Sequence, residues 1–275
     1  VTLTEQLLQM PAPSAPGLLP SHLSASGYNT LTACPYQFFA SRMLKLRQPD
    51  ELSEQPEKRD YGQWLHQILQ RYHETVAEQN TPLEQRAALL EKISDEVLNA
   101  VLAQQPAALG YAMRWKKYQA AYLAWANERE AAGWRFSDGE QERKVTLDLS
   151  DTHLTLIGRI DRVDRHEDGR LAVIDYKTSD KAALKKRLAG VEDHQLAFYG
   201  LLLSPTPAEA AYVAIDTDKP EYLVAEPYDD WREKLVERLQ KDLDAIHQGE
   251  PLPAAGNSAS CRYCDAQGLC RKGAW

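Results

Sequence analysis

The stretch Gly158-Arg-Ile-Asp-Arg-Val-Asp-Arg-His-Glu-Asp-Gly-Arg-Leu-Ala-Val-Ile-Asp-Tyr-Lys-Thr178 decides how this chain is read. It contains the end of an alternating run, Thr152 to Arg165, and a β-branched, apolar run, Arg170 to Thr178, and both patterns predict strands. Between them Glu167-Asp168-Gly169 makes a three-residue hairpin loop, with Gly169 in the left-handed position. Closing the hairpin at His166 and Arg170 sets the register, so that Val163 faces Val173 and Asp161 faces Asp175. Directly opposite residues have Cβ atoms roughly 5 Å apart, which makes the two carboxylates converge. Lys177 lies two residues past Asp175 and shares its face of the strand.

Like charges held opposite one another destabilise a hairpin unless something neutralises them. A divalent cation does so, and hard oxygen ligands suit Mg²⁺ or Mn²⁺. A lysine on the same face can orient an attacking water and stabilise developing negative charge, the layout of metal-assisted phosphodiester hydrolysis. A solvated hairpin with alternating charges has the same residues, and register alone does not separate the two. The same register also places Arg159 opposite Lys177, a repulsion that calls for a phosphate or carboxylate nearby.

Upstream, Ser26-Gly-Tyr-Asn-Thr offers N-cap residues, and Leu31, Cys34, Phe38 and Phe39 recur at helical spacing. Further helices are predicted over Tyr61–Glu78, Pro82–Gln105 and Ala112–Ala132, and the pattern changes to strands after Gly133, beginning with Glu142–Leu149. Downstream come a helix over Asp193–Leu203, strands at Ala210–Ile215 and Tyr222–Ala225, and an amphipathic helix over Asp229–Gln248. A Pro/Ala/Gly/Asn/Ser stretch, Pro251–Ser260, leads as a linker into a cysteine-rich end. Helices first, then a mostly antiparallel sheet with helices on it, predict an α/β (α+β) fold in which 81–133 is a helical insertion before the sheet.

The chain has 275 residues, 43% hydrophobic and 26% charged, which is ordinary globular composition. Its apolar stretches, such as Leu196–Leu203, are too short to span a bilayer. No charged-then-apolar leader is present, so a cytoplasmic location with reduced thiols and no membrane partner is expected. The first residue is Val, and Met10-Pro-Ala-Pro-Ser-Ala-Pro reads as linker, so 1–20 is expected to be a linker in a fragment of a longer polypeptide. A net charge of −8 speaks against nucleic acid. Charge is segregated, however: residues 158–190 carry nine Lys/Arg against six Asp/Glu, a local +3 against −11 for the rest.

The hairpin carries a resemblance. Asp161 followed by Asp175-Tyr176-Lys177 resembles the D…(D/E)xK signature of the PD-(D/E)XK nuclease superfamily, and Gly158-Arg-Ile-Asp-Arg-Val-Asp and Ile174-Asp-Tyr-Lys-Thr resemble its RecB/AddB-like branch. Gly62-Gln-Trp-Leu-His66 is similar to that branch's G-x-x-x-H motif, and Gln195-Leu-Ala-Phe-Tyr199 to its Q-x-x-x-Y motif, in the expected order. Ile160 stands where the superfamily's name has proline. The resemblance implies a restriction-endonuclease-like core with a central mixed sheet flanked by helices. It implies a metal site of His66, Asp161, Asp175 and the Tyr176 backbone carbonyl, with Lys177, Gln195 and Tyr199 near substrate. Glu140 or Glu142 can add a carboxylate, and the sequence does not choose between them. Arg159, Arg162, Lys185, Lys186 and Arg187 are candidates for holding a DNA backbone, with a solvated basic stretch as the plain alternative.

Cys261, Cys264 and Cys270 put three thiols within ten residues, a spacing that lets a short loop wrap a metal centre, and the remaining cysteine is Cys34, 227 residues upstream of Cys261. Either Cys34 completes a four-thiolate site that closes the whole domain, or it is a buried helix residue. Residue chemistry does not distinguish Zn²⁺ from an iron–sulfur cluster. The spacing, with Cys34-Pro-Tyr-Gln-Phe-Phe, resembles the iron-staple subset of RecB-like nucleases, which implies a structural [4Fe–4S] cluster rather than Zn²⁺. Closing so long a loop stabilises by something on the order of 5 kcal/mol by analogy with a disulfide. Together these readings predict one nuclease domain over 21–275 with a cluster-binding tail at 261–275. The resemblance implies a Mg/Mn-dependent DNA exonuclease acting on single-stranded ends beside a helicase-like region or partner subunit, in DNA repair or recombination. The alternative is an inactive DNA-binding accessory domain that keeps fold and cluster.

Overall fold

A computed structural model describes residues 9–46, 55–148, 153–189, 194–262 and 264–272. Leu149 and Thr152 at strand ends, Asp193 at a helix start, residues 1–8 of the expected linker and 273–275 of the expected tail lie outside the described residues.

Among the described residues, eight strands form two mixed sheets: β1 (His22–Leu23), β2 (Trp134–Asp138), β3 (Gln141–Asp148), β4 (His153–Ile160), β5 (Arg162–His166), β6 (Leu171–Lys177), β7 (Glu209–Ala214) and β8 (Glu221–Val224). The larger sheet has the order β2-β5-β6-β7-β8, with β6 and β7 parallel and the other pairs antiparallel. The smaller has the order β1-β4-β3, with β1 parallel to β4. The sheet expected to be mostly antiparallel is therefore divided in two, and each part contains one parallel pair.

The β5–β6 hairpin has the expected register, Val163 opposite Val173, with Gly169 at φ 94° in its loop, but the ladder begins at Arg162–Ile174 and the expected pair of Asp161 with Asp175 is not part of it. The single strand expected over Thr152–Arg165 is instead broken at Asp161, where the chain leaves the small sheet as β4 and enters the large one as β5. The Asp161 carboxylate accepts the Tyr176 N–H at 2.8 Å, so a side chain takes over where the main-chain ladder stops. This break removes the expected clash of Arg159 with Lys177, because Arg159 now faces Glu142 of β3.

The first helix begins earlier than expected. Ser24 caps α1 (Ala25–Ala33) by accepting the Gly27 N–H at 3.2 Å, and the chain turns extended at Cys34 because Pro35 follows. Cys34 thus sits between α1 and α2 (Pro35–Phe38) rather than on a helix running through to Phe39. Residues 11–14, expected to be linker, are hydrogen-bonded along 249–254 through Ser14, Pro13 and Pro11.

The large sheet is covered on both faces. Helices α3 (Lys58–Gln79), α4 (Leu83–Gln104) and α5 (Leu109–Ala131) form one layer, with Leu65, Leu69, Trp115 and Tyr122 against Ile174, Tyr176 and Val213. The segment 81–133, expected as an insertion, supplies α4 and α5 of this layer, and α3 supplies the third helix. Neither β2 nor α6 (Lys181–Ala189), whose buried residue is Leu184, was expected from the sequence. On the other face of the sheet α1, α7 (Gln195–Leu201) and α8 (Tyr228–His247) bury Tyr28, Phe198, Leu239 and Leu243 with Val163 and Val173. Alternation along β6 follows directly: Tyr176 points to the helical layer, Asp175 and Lys177 to the α7 side. No helix among the described residues is long and apolar enough to cross a membrane.

Arg162, expected at a phosphate backbone, is 3% exposed and points inward. Its Nε donates to Asp164 Oδ1 at 2.5 Å, and Asp164 also takes Arg129 Nε at 2.5 Å. A buried carboxylate between two guanidiniums leaves uncompensated charge if it is removed. Asp164→Ala is therefore expected to cost on the order of 3–5 kcal/mol, measured as a lower urea midpoint, and an unchanged midpoint contradicts this account of the core.

Candidate active site

Asp161 at the sheet-to-sheet bend meets two residues from distant elements. His66 of α3 places Nδ1 3.5 Å from Asp161 Oδ1 and 3.1 Å from Glu140 Oε1. One ligand atom from each of the three lies within 4.8 Å of the others. Glu140 gets there through backbone geometry. It follows β2 in a left-handed conformation (φ 53°), and its N–H donates to the Ile160 carbonyl at 2.7 Å. A Cβ at the preceding Gly139 would come 2.5 Å from the Asp161 carbonyl oxygen, so only glycine allows these two segments to approach. Glu142 pairs with Lys144 on the exposed side. Strand alternation could not choose between the two glutamates, because the register shift between Phe136 and Asp138 and the turn at Glu140 reset its phase.

Asp175 of β6, 1% exposed, acts electrostatically on Asp161 and His66 but is not one of the three converging ligand groups. Its Oδ2 is 2.5 Å from Lys177 Nζ, and its Oδ1 accepts from Gln195 Nε2 at 2.7 Å. Gln195 also accepts from Lys177 at 3.1 Å and donates to the Tyr199 hydroxyl at 2.9 Å. Gln195 and Tyr199 sit one turn apart on α7, so a single helix face holds both the acid and the base of the Asp175–Lys177 pair.

The electrostatics are those of an acid cluster. Burial, then the Asp175 charge, raises the Asp161 carboxyl to about 7. Burial alone would lower the His66 imidazole, but Asp161, the hydrogen bond to Glu140 and Asp175 outweigh it and raise it to about 9. Burial, then Asp175 and Asp161, pushes the Tyr199 phenol far up, which keeps it protonated. Imidazole nitrogen and carboxylate oxygens in a negatively charged, largely buried cluster are a donor set that fits a divalent cation of the Mg²⁺ or Mn²⁺ kind.

The other candidate residues are spread more widely. Arg159 is exposed at the rim, 3.9 Å from Glu140 Oε2. Arg187 of α6 and Lys177 share the Tyr212 ring, at 5.7 and 5.3 Å from its centroid, while Lys185 and Lys186 are exposed on the same helix. Tyr176 lies beside Asp161 through its N–H, and its ring centroid is 6.1 Å from that of His66.

The cysteines converge elsewhere. Cys34, Cys261, Cys264 and Cys270 line one cavity of about 220 Å³, and none is in a disulfide. Gly256 abuts it: a Cβ there would lie 3.2 Å from Cys34 Cβ and 3.3 Å from Cys261 Sγ. Burial, with the other three thiols nearby, raises the Cys264 thiol. The Tyr36 N–H donates to the Pro253 carbonyl at 3.1 Å, tying α2 to the segment that leads into the trio.

The profile of the PD-(D/E)XK nuclease superfamily matches residues 22–271. An ATP-dependent helicase/deoxyribonuclease subunit of Anoxybacillus flavithermus is 31% identical over 202 residues, 66% of this chain and 17% of that one. An uncharacterized protein of Rickettsia bellii is 27% identical over 159 residues, 58% of this chain and 19% of that one. The chain spans about a fifth of the length of these curated relatives. Among solved structures, SSO0001 aligns over 91% of this chain and 85% of its own at 17% identity, with a TM-score of 0.41. With the family profile running almost from end to end, this chain belongs to the PD-(D/E)XK nuclease superfamily.

Proposed function

We propose that this chain is a Mg²⁺- or Mn²⁺-dependent DNA nuclease domain that degrades strands from their ends. The observation that carries the reading is the meeting of His66, Glu140 and Asp161 beside the Asp175–Lys177 pair. His66, Glu140 and Asp161, with Asp175 and the Tyr176 carbonyl adjoining, would hold the cation. When bound, it would supply Lewis-acid polarisation of a phosphoryl oxygen and acidify water. Lys177, steered by Asp175 and Gln195, holds a positive charge where negative charge develops. Gln195 bridges the ion pair, accepting from Lys177 and donating to Asp175, and its amide also donates to the Tyr199 hydroxyl. Arg159 at the rim and Arg187 beside Tyr212 are placed to meet the phosphate backbone. Relatives named as helicase/deoxyribonuclease subunits support DNA as substrate and a helicase region or subunit as partner. The working unit in this reading is residues 21–275, with 81–133 inserted before the sheet and 261–275 as the cluster-binding tail, acting in the cytoplasm in repair or recombination.

The four-thiol cavity is proposed to hold a structural [4Fe–4S] cluster. What favours the cluster over zinc is the resemblance of Cys34-Pro-Tyr-Gln-Phe-Phe and the C-terminal trio to the iron-staple pattern; four thiols lining one cavity suit either group. In anaerobically purified protein this reading gives a brown colour with iron and sulfide in equal amounts. Cys34→Ser should lose the iron and lower the melting temperature, and a colourless, zinc-loaded protein sinks the assignment.

Cleavage of end-labelled single- and double-stranded DNA tests the catalytic reading. With Mg²⁺ or Mn²⁺ the wild type should degrade ends, and Asp175→Ala and Lys177→Ala should each lower kcat on the order of 10²–10³-fold. Equal, slow loss of substrate in all three would leave only a DNA-binding accessory domain. Because the raised Asp161 and His66 groups must shed protons to become ligands, Mn²⁺ affinity should climb between about pH 6 and 9. Calorimetry in buffers of different ionisation enthalpy reads the released protons, and a pH-independent affinity contradicts these ligands.

A further inference from the structure

Behind the site lies a closed ring of buried polar side chains that the reaction itself does not use. The Tyr176 hydroxyl is 2.7 Å from the Tyr122 hydroxyl, and Tyr122 is 2.7 Å from His73 Nε2. Arg162 Nη1 reaches His73 Nε2 at 2.8 Å and the Tyr176 hydroxyl at 3.2 Å. Arg162 can only donate, so the His73 Nε2 lone pair must accept. Arg162 Nη1 donates to the Tyr176 hydroxyl and also lies 3.5 Å from the Tyr122 hydroxyl, so the guanidinium, the imidazole and the two phenols share one network. All four residues are buried, and each is needed to satisfy another.

The ring joins the elements that must meet at the metal ligands. His73 is on α3, two turns beyond His66, so the ring sets where that helix sits. Arg162 and Tyr176 flank Asp161 and Asp175 on the hairpin. Tyr176 is anchored at both ends, its phenol in the ring and its N–H on Asp161 Oδ2 at 2.8 Å. Tyr122 is the contribution of the helical insertion to the ring. We infer that Tyr122 is a positioning residue: through Tyr176 and His73 it holds Asp161 and His66 at metal-binding distance, and this is a task of the helical insertion. The inference rests on the proposed metal-dependent reading and adds to it a part for a helix remote from substrate.

The test compares wild type with Tyr122→Phe, which removes one hydroxyl and little volume. Partners that orient metal ligands typically matter 10- to 100-fold in affinity or activity, so the Mn²⁺ dissociation constant, read by calorimetry, should rise by about that factor. The Mn²⁺ electron-resonance spectrum should broaden, KM for DNA should hold, and saturating Mn²⁺ should restore much of kcat. Leu98→Ala, in the same helical layer but outside the ring, should lower the melting temperature and leave Mn²⁺ affinity alone. Should Tyr122→Phe not fold, Tyr176→Phe makes the same comparison, since it cuts the ring and keeps the N–H on Asp161. If the wild type binds Mn²⁺ and the ring variant binds it as tightly with the same spectrum, the inference falls while the nuclease reading stands. If the wild type binds no Mn²⁺, both fall.

Discussion

Much of this structure depends on one hydrogen bond, from the Tyr176 N–H to the Asp161 carboxylate. It marks the place where a strand that would otherwise run on leaves one sheet for the other, and it holds a carboxylate at the bend. Around that fixed point the chain gathers Glu140 from the β2–β3 connection, Asp175 from the adjacent strand and His66 from a helix of the covering layer. Carboxylates so close and so buried disfavour one another's charged form, which raises the Asp161 carboxyl, and their charge raises the His66 imidazole.

The surrounding layers share the support. On the α7 side, Gln195 and Tyr199 fix Asp175 and Lys177, so the reactive pair is held by a helix face rather than by a loop. On the other side, the Arg162 ring and the Asp164–Arg129 pair put charge into a fully enclosed place. Such buried ionic groups do little for net stability but permit only one relative position of their elements. Cys34 and the C-terminal cysteines line one cavity where the N-terminal helices meet the C-terminal segment. The backbone pairing of 11–14 with 249–254 ties the same two ends.

Local pattern made the hairpin legible. Its register, its left-handed glycine and the shared face of Asp175 and Lys177 follow from a period of two residues and one turn. The long helices were legible as well, because their apolar stripes repeat at 3.6 residues, and α3 and α4 fall within a few residues of expectation. The bend at Asp161 was not legible. An alternating run carries no mark of where a strand will change sheets when a side chain, not the backbone, supplies the last bond. The helix α6 gave too little apolar spacing to be seen, since Leu184 is what it buries.

The amino-acid sequence by itself determined the mixed α/β character, the hairpin register and the shared strand face of Asp175 and Lys177, because these depend on neighbours within about twenty residues. Only the tertiary structure decided that Glu140 rather than Glu142 joins His66 and Asp161, that Arg162 turns into the core, and that Cys34 reaches thiols 227 residues away. Each of those outcomes depends on how close two separately stable layers come. That distance is set by packing, by a glycine such as Gly139 that lets backbones touch, and by buried polar groups that must find partners.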